Sequence, residues 1–420
     1  MTDIQHWEHK RLTDLAEYIN GYAFKPEDWG EEGLPIIRIE QLKNPDSISD
    51  FYSGKLDKKN IIQDGDLIFS WSASLFLRIW QHGQAALNQH LFKVVEKENV
   101  DRIFLKQFIE YNLPEITKAS HGSTMQHITR KELDRFKALF PVNKPEQSKI
   151  AEVLSKVDQA IEQTEQLIAK QQRIKTGLMQ DLLTRGIDEH GNLRSEETHE
   201  FKDSPLGRIP VGWDFVPIAS VLRKSPKNGY SPVESNSWNG TYMLGLGCLT
   251  TSGFQPVQLK YAPPLSSVFT KAILKQGDFL ISRSNTRDLV GLVGIYKDVG
   301  VPCIYPDLMV RLCFSNDVVT EFMEQVFMSA LMRRQITNHA TGTSGSMVKI
   351  SSSLIKNFCF FKPDFKEQQR IIKVLEEQDS SRITIDKTKN KLYLLKTALM
   401  QYLLTGKKRV TPLMENMEAK

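Results

Sequence analysis

No run of apolar residues in this 420-residue chain approaches the roughly 18 that a membrane-spanning helix requires. The opening stretch MTDIQHWEHK is polar, unlike a secretory leader, so a cytoplasmic protein without membrane contact is expected. Cysteine is scarce. The four present (Cys248, Cys303, Cys313, Cys359) all lie in the second half, without metal-ligand spacing, and read as reduced thiols. Signatures of catalysis are equally thin. No Gly-x-x-x-x-Gly-Lys-Ser/Thr phosphate loop occurs, and Gly245-Leu246-Gly247 lacks the third glycine of a dinucleotide loop. Asn44-Pro45-Asp46-Ser47 is not the Asn/Asp-Pro-Pro-aromatic loop with which methyltransferases hold adenine. Neither a cofactor nor a metal is therefore expected. The nearest approach to a catalytic pattern is Pro45-Asp46 followed by Asp57-x-Lys59, two carboxylates and a lysine as in Mg²⁺-dependent nucleases. A stand-alone nuclease is thus one alternative reading, and a coiled-coil adaptor that binds only proteins is another.

A strong charge of one sign is missing too. The net charge is +5, which permits a nucleic-acid partner without demanding one. It is unevenly placed: residues 209–361 carry 14 Lys+Arg against 9 Asp+Glu, whereas residues 1–144 carry 19 against 21. If both halves bind nucleic acid, the first must do so through a local patch.

What the chain does have is a duplication. KTGLMQDLLT (175–184) returns as KTALMQYLLT (396–405), an offset of 221 that holds without a gap from Glu146-Gln147, matching Glu367-Gln368, to Thr184, matching Thr405. Fifteen of those 39 positions are identical, too many for chance. Both copies carry the marks of long helices. Asn143-x-x-Glu146 and Asp364-x-x-Glu367 predict reciprocal capping at the start, and Gly186 and Gly406 predict left-handed caps at the end. Apolar residues recur at three and four: Ile150, Val153, Val157, Ile161, Leu167, Ile174, Leu178 and Leu182, then Ile371, Val374, Ile385, Leu392, Leu395, Leu399 and Leu403. That is a coiled-coil seam with polar interruptions at Gln171, Gln378 and Arg382, so each helix should pair with its twin. About 40 residues make a rod of roughly 60 Å.

A weaker repeat precedes each helix. Trp7 matches Trp213; Gly65-Asp66-Leu67-Ile68-Phe69-Ser70 matches Gly277-Asp278-Phe279-Leu280-Ile281-Ser282; Met125 matches Met347. His90-Leu91-Phe92 aligns with Asp307-Leu308-Met309. Short β-type runs (LIFSWSA, FLISRS, LMVRLCF) mix with helical stretches (IFLKQFIEYNL, TEFMEQVFMSALMRRQI), so an α+β class is expected, with two mixed α/β blocks in pseudo-two-fold repeat joined by antiparallel helices. The expected boundaries are a first block at 1–142, a helix at 143–185, a polar linker at 186–208, a second block at 209–362, a helix at 363–406 and a tail at 407–420. Pseudo-symmetry further places the end of the second helix, near Leu404, beside Trp7.

With these features in hand, the chain resembles the specificity subunits of type I restriction-modification systems. The carrying segments are NGYAFKPEDW (20–29), PIIRIEQL (35–42), LNQHLFKV (87–94), DSPLGRIPVGW (203–213) and the helix ends GLMQDLLT and ALMQYLLT, in that duplicated layout. The resemblance implies a non-catalytic subunit in which each block is a target-recognition domain reading one half of a split, asymmetric double-stranded DNA site. It implies that the helices act as a spacer and dock two methyltransferase subunits, which restriction/translocase subunits then join. The second block departs from the pattern, having KSPKNGYSPV (224–233) and IYPDLMVRL (304–312) where the first has NGYAFKPEDW and LNQHLFKV.

DNA reading calls for polar side chains on loops for base edges, and cations or backbone amides for phosphates. Arg283, Asn285 and Arg287 form the preferred base-reading loop, since Arg suits guanine and Asn adenine; the first-block counterpart by alignment is Trp71-Ser72-Ala73-Ser74, with Ser72 and Ser74 as candidates. The small polar loops with Ser123, Thr124 and Gln126, and with Thr343, Ser344 and Lys349, suit phosphates. Lys25, Arg38, His90 and Lys227 complete the candidates; Arg38 could equally be an ion-pair partner, and His90 a structural hydrogen-bonding residue.

Overall fold

The computed structural model describes residues 6–118, 127–265, 267–342 and 347–418. The chain divides into two compact units, Met1–Gln166 with Asp386–Lys420, and Leu167–Ile385. The division cuts both long helices, Lys144–Thr184 and Phe365–Leu403. Each unit therefore owns one β-rich block, the first half of the helix that follows it and the second half of the other helix. The linker is not wholly solvent-borne, since Ile187 is buried, and the tail carries a helix, Thr411–Glu418, after a buried Val410.

In the first unit a four-stranded antiparallel sheet runs in the order Ala16–Asn20, Leu91–Glu96, Leu67–Ser70, Phe76–Ile79. Every residue of Leu67–Ser70 is buried, as expected of an inner strand covered on both faces. Before it, Gly65 turns the chain with φ of +90°, a conformation that side chains resist. Asp66 then accepts from Gln63 N and pairs with Lys93 at 2.7 Å. A smaller sheet sets Leu34–Ile37 parallel to Ala85–Leu87. Helix Arg102–Lys118 contributes Phe104, Phe108 and Ile116 to the core, and Trp7–Arg11 pairs with Lys137–Pro141.

The second unit repeats this plan. Its sheet order is Leu222–Asn228, Met309–Phe314, Phe279–Ser282, Val293–Ile295. Gly277 has φ of +87°, and Asp278 accepts from Lys275 N and pairs with Arg311 at 2.8 Å. The registers correct two details of the sequence alignment. Ser70 faces Leu91 and Ser282 faces Met309, so Leu91 corresponds to Met309 and His90 to Leu308, one residue from the expected match. NGYAFKPEDW also has a counterpart in part. Gly21 N donates to Leu91 O and Tyr22 N to Leu87 O; Gly229 N donates to Met309 O and Tyr230 N to Tyr305 O. Asn20-Gly21-Tyr22 is thus Asn228-Gly229-Tyr230. A side chain on Gly21 would overlap the carbonyls of Leu87 and Asn88, and one on Gly229 those of Tyr305 and Pro306. Two backbones cross there too closely for any residue but glycine.

The long helices pack antiparallel within each unit. Asp158 pairs with Lys396 at 2.6 Å and Glu165 accepts from the Tyr393 hydroxyl at 2.8 Å, so one helix descends as the other climbs. In the second unit Lys175 pairs with Asp379 at 2.7 Å. These two ion pairs are copies: the 221 offset turns Asp158 into Asp379 and Lys175 into Lys396. The apolar seam is sealed at its ends, where Ile150, Leu154, Leu182, Ile371 and Leu375 are buried. Its middle is open, with Leu167 and Ile174 more than 40% exposed, so polar pairs rather than continuous knobs and holes hold that stretch.

The helix starts differ from the reciprocal capping expected of them. Asp364 Oδ1 accepts from Glu367 N, but the Glu367 carboxylate does not return to the cap. It is buried and accepts from Ile187 N, from Trp213 Nε1 at 3.0 Å and from the Arg194 guanidinium, drawing helix end, linker and second block to one point. Its copy Glu146, also buried, takes the Arg409 guanidinium at 2.6 and 2.8 Å. Next to each, Gln147 and Gln368 satisfy loop backbone: Nε2 of Gln147 donates to Pro141 O and Asn99 O, that of Gln368 to Pro363 O and Asp317 O. Trp7 and Trp213 pack against Gly406 and Gly186, which cap the helix ends at φ of +71° and +65°. Leu404 and Trp7 share one core, as pseudo-symmetry anticipated.

Glu367 gathers an indole and a backbone amide besides its arginine. Glu367→Gln should therefore cost about 3 kcal/mol, the scale of a broken buried pair, and Glu146→Gln clearly less. Thermal unfolding of the two variants of the full chain tests this; equal losses would refute the ranking.

Candidate nucleic-acid interface

Both central sheets end in a hairpin whose tip carries the polar candidates. In the first block Ser70 pairs with Phe76, leaving the five residues 71–75 as the tip. In the second, Ser282 N donates to Leu292 O, leaving nine residues, 283–291. The strands on either side keep their register, so the four extra residues lie wholly in the tip. Each tip is tethered from one side by a later segment. Ile128 N donates to Trp71 O, and Ile350 N to Arg283 O; Ser72 bridges to His127, and Ser284 pairs with Lys349. Trp71 thus occupies the place of Arg283, and His127 that of Lys349.

The first tip is compact and aromatic. Ser72 is buried, and Ser74 Oγ accepts from Lys43 Nζ at 2.7 Å, with the ammonium 5.9 Å from the Phe76 ring centre. Trp71 lies between the rings of His90 and His127, each 5.9 Å away, and its indole N–H is buried with no acceptor among the described residues. His90 is exposed, and its amide donates to Asn88 Oδ1. Beside it opens a cleft of about 350 Å³ lined by Phe24, Trp29, Arg38, Asn88, Gln89 and His90. Arg38 lies 5.1 Å from the Trp29 ring centre and pairs with Asp50 at 2.7 Å, so the ion-pair role and the cleft position hold together. Lys25 stands outside that lining, exposed and 3.7 Å from Glu27. Ser123, Thr124 and Gln126 lie outside the described residues.

The second tip is cationic. Arg283, Arg287 and Lys349 have no carboxylate within salt-bridge distance among the described residues; Arg287 Nη1 instead donates to Thr337 O at 2.9 Å. Asn285 Oδ1 accepts from Thr286 N and so shapes the tip from within. Lys227 is exposed on the edge strand, opposite Arg311. Thr343 and Ser344 lie outside the described residues. Sequence reasoning passed over Lys43, and it reached the segments that hold Trp71 and His127 without making either residue a candidate. The alignment already sets Trp71 against Arg283; no local signal marks Lys43, which comes from 31 residues away.

The alternative catalytic pattern of Asp46, Asp57 and Lys59 holds one pair of its own. Asp57 pairs with Lys59 at 3.1 Å on the surface, and among the described residues no three His, Cys, Asp or Glu side chains gather as a metal site. Gly245 and Gly247 pack against Gln258, whose backbone and side-chain carbonyl oxygens accept from their amides, and Cys248 N donates to Gly245 O to close a tight turn. Among the described residues no helix is long and apolar enough to cross a membrane.

Comparison with known proteins agrees with this architecture. Residues 4–171 match the type I restriction modification DNA specificity domain. The chain is 24% identical over 423 residues to the type I restriction enzyme MjaVIII specificity subunit of Methanocaldococcus jannaschii, covering 97% of this chain and 94% of that one. It is 27% identical over 195 residues to the EcoKI specificity subunit of Escherichia coli, covering 44% and 42%. In fold it resembles the type I restriction-modification S subunit from M. genitalium, with a TM-score of 0.55 at 16% identity over 96% of this chain and 97% of that one. A chain from a structure of type I restriction-modification complex assembly gives a TM-score of 0.60 at 14% identity, covering 96% and 98%. The full-length relatives, the family match over residues 4–171 and the duplicated block-and-helix plan agree: along its whole length the chain is similar to the specificity subunits of type I restriction-modification systems.

Proposed function

We propose that each β-rich block reads one half of a split, asymmetric site on double-stranded DNA, and that the paired helices set the gap between the halves and dock two methyltransferase subunits. Restriction/translocase subunits complete the nuclease. The observation that carries this reading is the pair of hairpin tips, equivalent in position and unlike in length and chemistry. Equivalent scaffolds with unlike tips are what two different half-sites require. Arg283, Asn285 and Arg287 are the base-reading candidates of the second block, Lys349 and Lys227 its phosphate contacts. In the first block Arg38, Ser72, Ser74 and His90 face the same task, with Lys25 at the margin.

Three outcomes follow from this reading. The chain alone should neither methylate nor cut plasmid DNA, and methylated adenines should appear at a split site once a methyltransferase subunit is supplied. Cleavage by the purified chain with Mg²⁺ would mean a nuclease instead. Replacing residues 283–287 should change one half of the methylated sequence and spare the other; a mere drop in affinity would reduce those residues to phosphate contacts. Finally, four residues added near Gln171 and four near Leu392 lie, in each helix, between its members of the two copied ion pairs, so both pairs are kept. Each helix lengthens by about 6 Å, and the unread gap should grow by one or two base pairs of about 3.4 Å each. A methylome with the original gap would dismiss the helices as the spacer.

A further inference from the structure

The nine-residue tip of the second hairpin is long for a segment with so little ladder of its own. Within it, Leu289 N and Val290 N both donate to Thr286 O, and Gly291 N returns to Ser282 O. The tether at Arg283–Asn285 holds its first residues, and the part beyond them is held by the helix Ala330–His339. Arg333 on that helix donates from Nη1 to Val290 O at 2.6 Å and from Nη2 to Asp288 O at 2.9 Å. Thr337, one turn on, accepts Arg287. Gly291 packs so tightly on the helix that an added Cβ would stand 2.7 Å from Ile336, and its φ of +76° disfavours any side chain as well. Val290 is fully buried.

The chemistry of Arg333 is unusual for a half-buried cation. Among the described residues its hydrogen-bond partners for the guanidinium are the two carbonyls alone, with no carboxylate in salt-bridge range. Desolvation lowers its pKa from the ordinary arginine value, and the charge of Asp288 opposes that only in part. A planar fork reaching two carbonyls two residues apart fixes the backbone between them; an ammonium offers a single point instead. Among the described residues the first block shows no such device. Its tip is shorter by four residues, and residues 110–118 of its helix contain no arginine.

We propose that Arg333 is a positioning residue for DNA reading: by holding the carbonyls of Asp288 and Val290 it sets the geometry in which Arg283, Asn285 and Arg287 meet the bases, and so governs the selectivity of one half-site. The inference rests on the reading of the hairpin tips as base-contacting. Base contacts of this kind discriminate by roughly ten-fold or more per position, and only when the donors are held in place.

The test uses the full chain with its methyltransferase subunits, on DNA libraries carrying every single-base change in each half-site. Arg333→Met and Gly291→Ala disturb the same clamp by different physics, one removing the cation and the other the left-handed turn. Both should cut discrimination about ten-fold at one or more positions of the same half-site, leave the other half-site sharp and leave the salt dependence of binding unchanged; Arg333→Lys should restore part of the selectivity. Undiminished discrimination in both variants would overturn the proposal. So would a salt slope lower by about one in Arg333→Met, which marks a direct phosphate contact. Equal loss in both half-sites with a lowered melting temperature would also overturn it, reducing Arg333 to a general stabiliser. Failure of the unaltered complex to methylate any split site would instead sink the reading on which this inference stands.

Discussion

A carboxylate removed from water must be fully partnered, and that constraint organises both ends of the helix pair. Glu146 and Glu367 are buried at the helix starts, where an unpaired charge would be prohibitive. Each is met by an arginine from a segment that follows a helix: Arg409 after the second, Arg194 after the first. The carboxylates therefore force chain segments far apart in sequence to converge beside a tryptophan and a capping glycine. The neighbouring glutamines then satisfy the loop carbonyls that the convergence would strand. Block, helix and returning chain become one cooperative piece in each unit.

The parts of this fold that were legible in the sequence are those governed by local rules or by duplication. The two helices follow from spacing and caps, and the Gly-Asp turns at Gly65 and Gly277 stand where their motif stands. The gap-free repeat of Glu-Gln was visible, but its use was not: capping chemistry suggested a carboxylate turned back on its own helix, whereas tertiary partners took it. Polar interruptions of the seam at Gln171, Gln378 and Arg382 were visible, but its open middle was not, because periodicity records apolar positions and not their burial. Leu167 and Ile174 keep the period and stay exposed. Registers were the other blind spot. A one-residue slip between His90 and Leu308 is invisible where sequence similarity is weak, and only the strand pairing reveals it.

At the candidate interface, sequence reasoning located the tip 283–287 because its residues are chemically apt, and it located the equivalent position in the first block by alignment. It could not find what comes from elsewhere in the chain. Lys43 reaches Ser74, Arg333 reaches Val290, and the histidines converge on Trp71 only once the sheet is folded. The contrast between the two tips, aromatic in one and cationic in the other, also gives a physical meaning to the uneven distribution of charge along the chain. In the first tip Lys43 is already engaged with a serine and a phenylalanine ring.

The two copied ion pairs carry a consequence for how such a chain can change. Asp158 meets Lys396 while Lys175 meets Asp379, so each residue's duplicate binds its partner's duplicate. This is the pattern of an isologous contact, the kind made across the axis of a twofold dimer of identical half-length proteins. Joining two such halves in one polypeptide keeps the contact and removes the obligation of sameness. A substitution in a dimer of identical subunits alters both copies at once; in the fused chain it alters one. Trp71 and Arg283 could therefore part company on a shared scaffold, and the symmetry retained in the helices is what permitted its loss at the tips.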